Sequence, residues 1–472
     1  MTAAARVPVT VLGAGPAGLA VALKLAKRGS FDVTVLERAG TVGGNAGSFE
    51  IDGVRVDFGS HRLHPACSSQ ILAEIRGLLQ EDLLDRPRHG RILLRGRWVR
   101  FPLAPRNLLI NLPPSYAFGT LRDAVSRRRK TPGMETFATV LERGLGRTIC
   151  HEFYFPYAEK IWGVSPGEID AEQARRRVSA SSISRLIMKV MRGALGRGTR
   201  SGRHFFYPRE GFGQISDAYY RAATDAGARV ELNTTASGID VDGDRVQVTA
   251  SGPNGSEQLP AQLVLSTIPL PALALALAPP PPQAVRESIA ALRYRAMVLV
   301  YLVLDTNQFT EYDAHYFPGS DVAITRLSEP MNYASRSPSG TTVLCAELPC
   351  SVDDSAWVAS DESLGELVVG ALDDAGIPPE VPVRRVVTRR LSHAYPIYTL
   401  GYREHFDRID AWVGGIDGLL SFGRQGLFAH DNTHHTLAMA YAASECVDDQ
   451  GRLDRGQWDA HRGRFESHVV ED

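Results

Sequence analysis

Gly13-Ala14-Gly15-Pro16-Ala17-Gly18 closes an apolar strand, Val7 to Leu12, and opens a helix, Ala17 to Arg28. A second strand follows, Asp32 to Leu36, and ends on Glu37. Glycines at these spacings allow a tight turn, close approach of the backbone to a pyrophosphate and packing of helix on strand, so that the helix N-terminus carries the phosphate charge. An acidic residue at the end of the second strand, roughly twenty residues past the glycines, takes the ribose hydroxyls and repels a 2′-phosphate. Strand, helix, second strand and acid stand in register, which predicts a parallel βαβ unit holding a dinucleotide other than NADP. Gly13, Gly15, Gly18, Glu37 and its neighbour Arg38 are the candidate contacts.

The 472 residues suffice for two core-forming units, and 44% hydrophobic with 22% charged residues is the balance of an ordinary globular chain. With 52 basic against 53 acidic residues, whole-chain charge calls for neither nucleic acid nor membrane as a partner. Basic runs at Arg127 to Lys130, Arg175 to Arg177 and within 192 to 203 read as solvated helix faces. Cys67, Cys150, Cys345, Cys350 and Cys446 are odd in number and lack CxxC spacing, which indicates neither a disulfide framework nor a zinc site and fits a reducing cytoplasm. The first strand starts too early to leave room for a signal peptide, and no run reaches the ~18 apolar residues of a membrane span.

Beyond Glu37 the chain reads Gly43-Gly44-Asn45-Ala46-Gly47, then Asp57-Phe58-Gly59-Ser60-His61-Arg62-Leu63-His64. A nicotinamide dehydrogenase has no use for a second glycine pair there. The segment resembles the FAD-dependent amine oxidases and protoporphyrinogen oxidases, in which an extended FAD runs past the first βαβ unit and more backbone lies against it. Gly44-Asn45 together with His61 and His64 is most similar to UDP-galactopyranose mutases and their relatives. Near the C-terminus, Ala394 to Tyr402 and then Gly423-Arg424-Gln425-Gly426-Leu427-Phe428-Ala429-His430-Asp431-Asn432-Thr433 precede a small-residue helix, Leu437 to Ala443, and resemble the segment that closes the FAD site in that group. A glycine turn opening a helix presents free N–H groups suited to flavin phosphate or the pyrimidine carbonyl. The resemblance implies non-covalent FAD, with contacts at Gly44, Asn45, Gly59, Ser60, Gly423, Arg424, Asn432 and Thr433, and adenine near Ala236.

Strand–helix alternation, then helical text, then β-rich text, then a return to glycine motifs predicts an α/β chain: a discontinuous Rossmann-like FAD-binding domain with an inserted α+β substrate domain, made of a helical block and an antiparallel sheet. The expected FAD pieces are 1–85, 205–269 and 385–446; the substrate domain takes 86–204 and 270–384, and 447–472 is a polar tail anchored by Trp458. Helices are expected at Met134 to Leu145 and Ser181 to Leu195. Strands are expected within Arg91 to Pro102 and at Met297 to Leu304, Val322 to Leu327, Thr342 to Leu348 and Val383 to Leu391, with a hairpin around Asp242-Gly243-Asp244.

Tyr157-Ala158-Glu159-Lys160-Ile161-Trp162-Gly163 resembles the Tyr-x-x-Lys-x-Trp-Gly of the mutases. That likeness implies a substrate-binding role for Tyr157, with Trp162 as a wall, Lys160 meeting an anion and Arg295 holding a diphosphate. Two positions depart from the pattern: His430 stands where the mutases carry a phosphate-contacting tyrosine, and His434 where they carry an acid. Histidine can donate to phosphate or act as acid or base near neutral pH, which makes His61, His64 and His430 the candidate catalytic residues. His430, His434 and His435, spaced i, i+4, i+5 with no clear carboxylate or cysteine partner, do not indicate a metal site. The expected activity is hydride abstraction by an FAD-dependent oxidoreductase from a small organic or sugar-containing substrate. The alternative is a redox-neutral interconversion of pyranose and furanose nucleotide sugars that uses reduced FAD. Nothing in the sequence speaks to oligomeric state.

Overall fold

The computed structural model describes residues 6–101, 116, 119, 122–123, 134–177, 204–242, 245–334 and 340–470. The expected helix Ser181 to Leu195 and the basic runs at 127–130 and 192–203 lie outside the described residues.

A five-stranded parallel sheet forms the framework. β1 (Val7–Leu12) runs through its centre between β2 (Phe31–Leu36) and Leu263–Ser266, with Arg229–Glu231 and Leu419–Ser421 at the edges. Val9 pairs with Val33 on one side and Leu263 on the other. Helices cover this sheet, which is why its strands are continuous apolar runs rather than alternating ones. α1 (Pro16–Arg28) begins with Pro16 at a position where no N–H is needed, ends at Gly29 in the left-handed conformation (φ +73°), and packs against the helices Gln214–Asp225 and Thr433–Glu445.

A seven-stranded sheet stands beside it, in the order Val383–Ile397, Arg293–Leu304, Thr342–Cys350, Arg326–Ser328, Ala314–Tyr316, Gly90–Leu94 and Arg97–Phe101. All its pairings are antiparallel except Ala314–Tyr316 with Gly90–Leu94. Strand Arg293–Leu304 is buried on both faces: Val298, Val300 and Leu302 pack with Leu364, Val368 and Leu372 of helix Asp361–Asp374, while Leu299, Tyr301 and Val303 pack on the hairpin residues Ile51, Val54 and Val56. Its poor alternation in sequence follows from that.

In the expected stretch Arg91 to Pro102, the described residues as far as Phe101 form a hairpin turning at Arg95 and Gly96, both at positive φ (52° and 69°). The helix expected from Met134 begins at Phe137, because Thr136 caps it by accepting the Thr139 N–H. Of Val322 to Leu327 only the end is strand, Arg326–Ser328. The strand expected to end at Leu391 runs on to Ile397, so the division placed at 384/385 falls inside one strand of the larger sheet. The strands Thr235–Asp242 and Arg245–Gly252 pair antiparallel around the turn expected at 242–244. In the tail, Trp458 is buried in helix Arg455–Phe465 against Phe422 and Phe465. Among the described residues no helix is long and apolar enough to cross a membrane.

Candidate active site

A cavity of about 500 Å³ extends from the β1–α1 turn to the face of the seven-stranded sheet. Its floor is built from backbone. Gly13 sits at φ +96° and donates its N–H to Leu36 O at 2.9 Å; a Cβ there would stand 2.6 Å from Thr267 Oγ1. Gly15 is the N-cap of α1 with no side chain to satisfy the helix N–H groups, and a Cβ on it would meet nothing within 4 Å. Gly18 does not line the cavity; a Cβ there would lie 1.9 Å from Gly13 O, so its role is to let helix close on strand. The second loop is tied to the first by Gly43 N–H donating to Ala14 O at 2.8 Å, with Gly43 and Gly44 at φ +108° and +53°.

Glu37 is buried at the far end. Its Oε2 accepts the Ala14 N–H at 2.8 Å and its Oε1 the Ala39 N–H at 2.9 Å, so the carboxylate braces the glycine turn while keeping lone pairs for ribose hydroxyls. Arg38 and Ala236 line this end, and Gly44, Asn45, Gly59, Ser60, Gly423, Arg424, Asn432 and Thr433 line the stretch beyond it. Two open glycine loops, an uncapped helix N-terminus and a carboxylate on one continuous lining fit a dinucleotide of FAD's length.

At the other end the polar groups interlock. Glu347 Oε1 accepts the Ser60 N–H at 2.9 Å and two guanidinium N–H groups of Arg326 at 3.0 and 2.7 Å. Arg62 pairs with Asp313 at 3.2 Å and lies over the Phe205 ring. His61 stacks on Phe212 at 5.3 Å and donates Nε2–H to Phe58 O at 3.0 Å, since a carbonyl only accepts; burial holds its pKa below the ordinary histidine value. His430 likewise donates Nε2–H to Pro396 O at 2.7 Å, and its Nδ1 has no hydrogen-bond partner. Burial, reinforced by Arg177 and Arg424, holds His430 well below the usual range and therefore neutral near pH 7.

Four residues expected in the cleft do not line it. On helix Phe155–Trp162, Tyr157 and Ile161 line the cavity at i, i+4, while Lys160 and Trp162 do not. Lys160 donates to the carbonyls of Phe317, Val322 and Ile324 at 2.7, 2.6 and 3.3 Å. Trp162 is buried edge-on to Phe137 and to His430, of which only His430 lines the cavity. A register shift between Arg295 and Met297 re-aims Arg295, which donates to Ser351 Oγ and Pro349 O and fills the space over Gly163 at that helix's end. His64 accepts the Ala66 N–H through Nδ1. The residues that sequence reasoning missed are Arg62, Arg88, Arg177, Tyr316, Arg326, Glu347 and Tyr395, all on the lining. A lone carboxylate in the wholly buried strand Thr342–Cys350 was the available signal for Glu347.

Residues 16–416 match the family model for flavin containing amine oxidoreductases. The chain belongs to that family. It is therefore an FAD-binding flavoenzyme, and its fold is similar to that of several solved proteins: a reduced UDP-galactopyranose mutase (20% identity, TM-score 0.79, covering 98% of this chain and 100% of the other); a protein described as a protoporphyrinogen oxidase from Exiguobacterium sp. (19%, 0.73, 93% and 98%); and cyclohexylamine oxidase from Brevibacterium oxydans (17%, 0.67, 93% and 99%).

Proposed function

We propose that this flavoenzyme is an oxidoreductase that abstracts hydride from a small organic or sugar-like substrate carrying an anionic group. One observation carries the reading: the cavity beyond the glycine loops is walled by Arg88, Arg177, Arg326 and Arg424 with Tyr157, Tyr316 and Tyr395, against few acids. Glu347 and Arg326 offset one another, and Arg88, Arg177 and Arg424 outnumber the acid left on this stretch, Asp431. Such a wall repels an ammonium substrate and attracts a carboxylate or phosphate. Bound FAD supplies a two-electron acceptor for the hydride. Guanidinium groups on the wall suit an anion, and Arg326, held by Glu347, is fixed before substrate arrives. His430 offers Nδ1 as acceptor for a substrate hydroxyl, because its Nε2 proton is committed to Pro396 O.

Anaerobic mixing with sugar phosphates, uronates and nucleotide sugars is expected to bleach the oxidised flavin, and aliphatic amines are expected to leave it unchanged. Bleaching by amines alone overturns the reading. A second reading, redox-neutral isomerisation of a nucleotide sugar, is favoured by the same wall's suitability for a diphosphate. Its signature is furanose product from the reduced protein with no change in flavin redox state.

A further inference from the structure

From Arg385 to Leu391, strand Val383–Ile397 pairs residue for residue with Arg293–Leu304, and it does so again from Tyr395 to Ile397. Between the pairs Leu391 with Met297 and Tyr395 with Arg295, the residues Ser392, His393 and Ala394 stand opposite Ala296 alone. Such a bulge re-aims side chains and frees backbone groups from the ladder. The freed carbonyls are taken up from the cofactor side. His393 O accepts from Asn45 Nδ2 at 3.2 Å and from Gln425 Nε2 at 2.7 Å, and Ala394 O accepts from Arg424 at 2.9 Å. The second glycine loop and the C-terminal glycine motif therefore both grip this one point of the larger sheet.

His393 lines the cofactor cavity. Its ring lies edge-on to Tyr294, 4.6 Å between centroids, and its Nδ1 hydrogen-bonds Ser392 Oγ at 2.8 Å, while Nε2 has no hydrogen-bond partner among the described residues. A serine hydroxyl gives or takes that bond, so Ser392 supports a proton on Nε2 whether the imidazole is neutral or charged. The charge that bears on His393 is Arg38, just past the end of β2. Arg38 is exposed, lines the same cavity and makes no hydrogen bond or ion pair among the described residues. Glu37 beside it has both oxygens on backbone N–H groups. Tyr294, Asn45 and Gln425, which meet the bulge from the other elements, are uncharged. A guanidinium and an imidazole that bear on one another with no acid paired to either form a site for an anion, and the uncapped start of α1 on the same cavity serves the same charge.

We propose that His393 and Arg38 form a clamp on the FAD pyrophosphate, Arg38 supplying fixed positive charge and His393 donating Nε2–H to a phosphate oxygen. The clamp makes cofactor binding sensitive to pH. In the protein alone, burial and then Arg38 hold the imidazole below the ordinary histidine value. A pyrophosphate beside it acts in the opposite direction, so FAD binding brings a proton onto His393 and FAD is held more tightly as pH falls from about 8 to about 6.

The test starts from the FAD-loaded protein and measures free FAD by ultrafiltration over a series of dilutions, at about pH 8 and about pH 6. His393→Leu, which has no donor, is expected to raise the FAD dissociation constant about tenfold or more. His393→Gln, whose amide replaces the Nε2–H donor, is expected to stay within a few-fold of the wild type at the higher pH and to lack the gain that the wild type shows at the lower one. Arg38→Gln is expected to weaken FAD at both. A purely structural role for His393 would weaken both of its variants alike and leave the pH dependence in place. Unchanged affinity in His393→Leu or Arg38→Gln, equal weakening in the two His393 variants, a wild type with no gain at low pH, or a gain that survives in His393→Gln overturns the proposal. If His393→Leu does not fold, the pH comparison of the wild type with His393→Gln decides alone.

Discussion

Gly15 and Gly18 belong to one motif and fail differently. A side chain at Gly15 projects into open cavity, where the pyrophosphate is expected, while one at Gly18 collides with Gly13 O at 1.9 Å. Gly15→Val should therefore give a folded, colourless protein with near-native Tm, and Gly18→Ala should lower Tm of the apoprotein; FAD stoichiometry and calorimetry of both separate the two roles. Glu37 allows a similarly local argument. Each of its oxygens accepts a backbone N–H, and Glu37→Gln must turn an NH₂ group toward one of them. The expected cost is about 1–3 kcal/mol in FAD affinity, from the lost charge-assisted bond and the misplaced turn. Unaltered affinity by titration of the apoprotein would remove Glu37 from the cofactor site. These residues were legible because their spacing alone fixes what they can touch. Arg295 was not, because the direction of a strand side chain depends on a register shift that no local pattern announces.

Helix Phe155–Trp162 shows what an element does that a motif does not reveal. Read as a string, Tyr157, Lys160 and Trp162 look like one recognition segment. Wound at 3.6 residues per turn, Tyr157 and Trp162 leave in different directions, and Lys160, although a neighbour of Tyr157 at i+3, ends against three carbonyls of the 317–324 segment. That segment leads from Tyr316 to Thr325 and Arg326 on the cavity wall. Lys160 is thus a positioning residue for the wall. Lys160→Met, which keeps the stem but leaves the carbonyls without their donor, should lower stability by roughly 2–3 kcal/mol and weaken substrate or anion binding while FAD content stays full. Denaturant midpoints and flavin perturbation by nucleotide diphosphates check this; an unchanged midpoint would mean that water satisfies the carbonyls. The strands were largely legible, as apolar runs bounded by turns, and their ends were not, since pairing partners decide them: Val383–Ile397 continues because Arg293–Leu304 continues beside it.

On the scale of the molecule, the FAD-binding architecture could be read from three separated glycine motifs, while the arginine wall could not. Arg424 was legible as part of a glycine motif, but Arg88, Arg177 and Arg326 come from three distant segments and share one cavity only in the folded chain. The run Arg175 to Arg177 is instructive: Arg175 is exposed on Glu135, Arg176 is buried against Glu172, and Arg177 faces the cavity, so one basic cluster serves three environments. Burial of neutral histidines is the other global property. His61, His393 and His430 are held below the ordinary value chiefly by burial, and His315 is pushed down to about 3 by burial and then by Arg91. Below about pH 6.5 the unfolded chain gains protons that the folded chain refuses, so each of these histidines makes stability fall with acidification, by up to ~1.4 kcal/mol per pH unit. Burial raises the pKa of the Asp57 and Glu329 carboxyls, and they work in the opposite sense, so the decisive quantity is a difference between two proteins rather than one slope. His315 hydrogen-bonds Thr310 Oγ1 at 3.3 Å, a contact that an amide can replace. His315→Gln is expected to reduce the loss of stability between about pH 6 and pH 4 by close to one histidine's share, ~1.4 kcal/mol per pH unit, measured as urea unfolding free energies of the two proteins across that range. Parallel curves would mean that His315 takes up a proton in the folded state as readily as in the unfolded one.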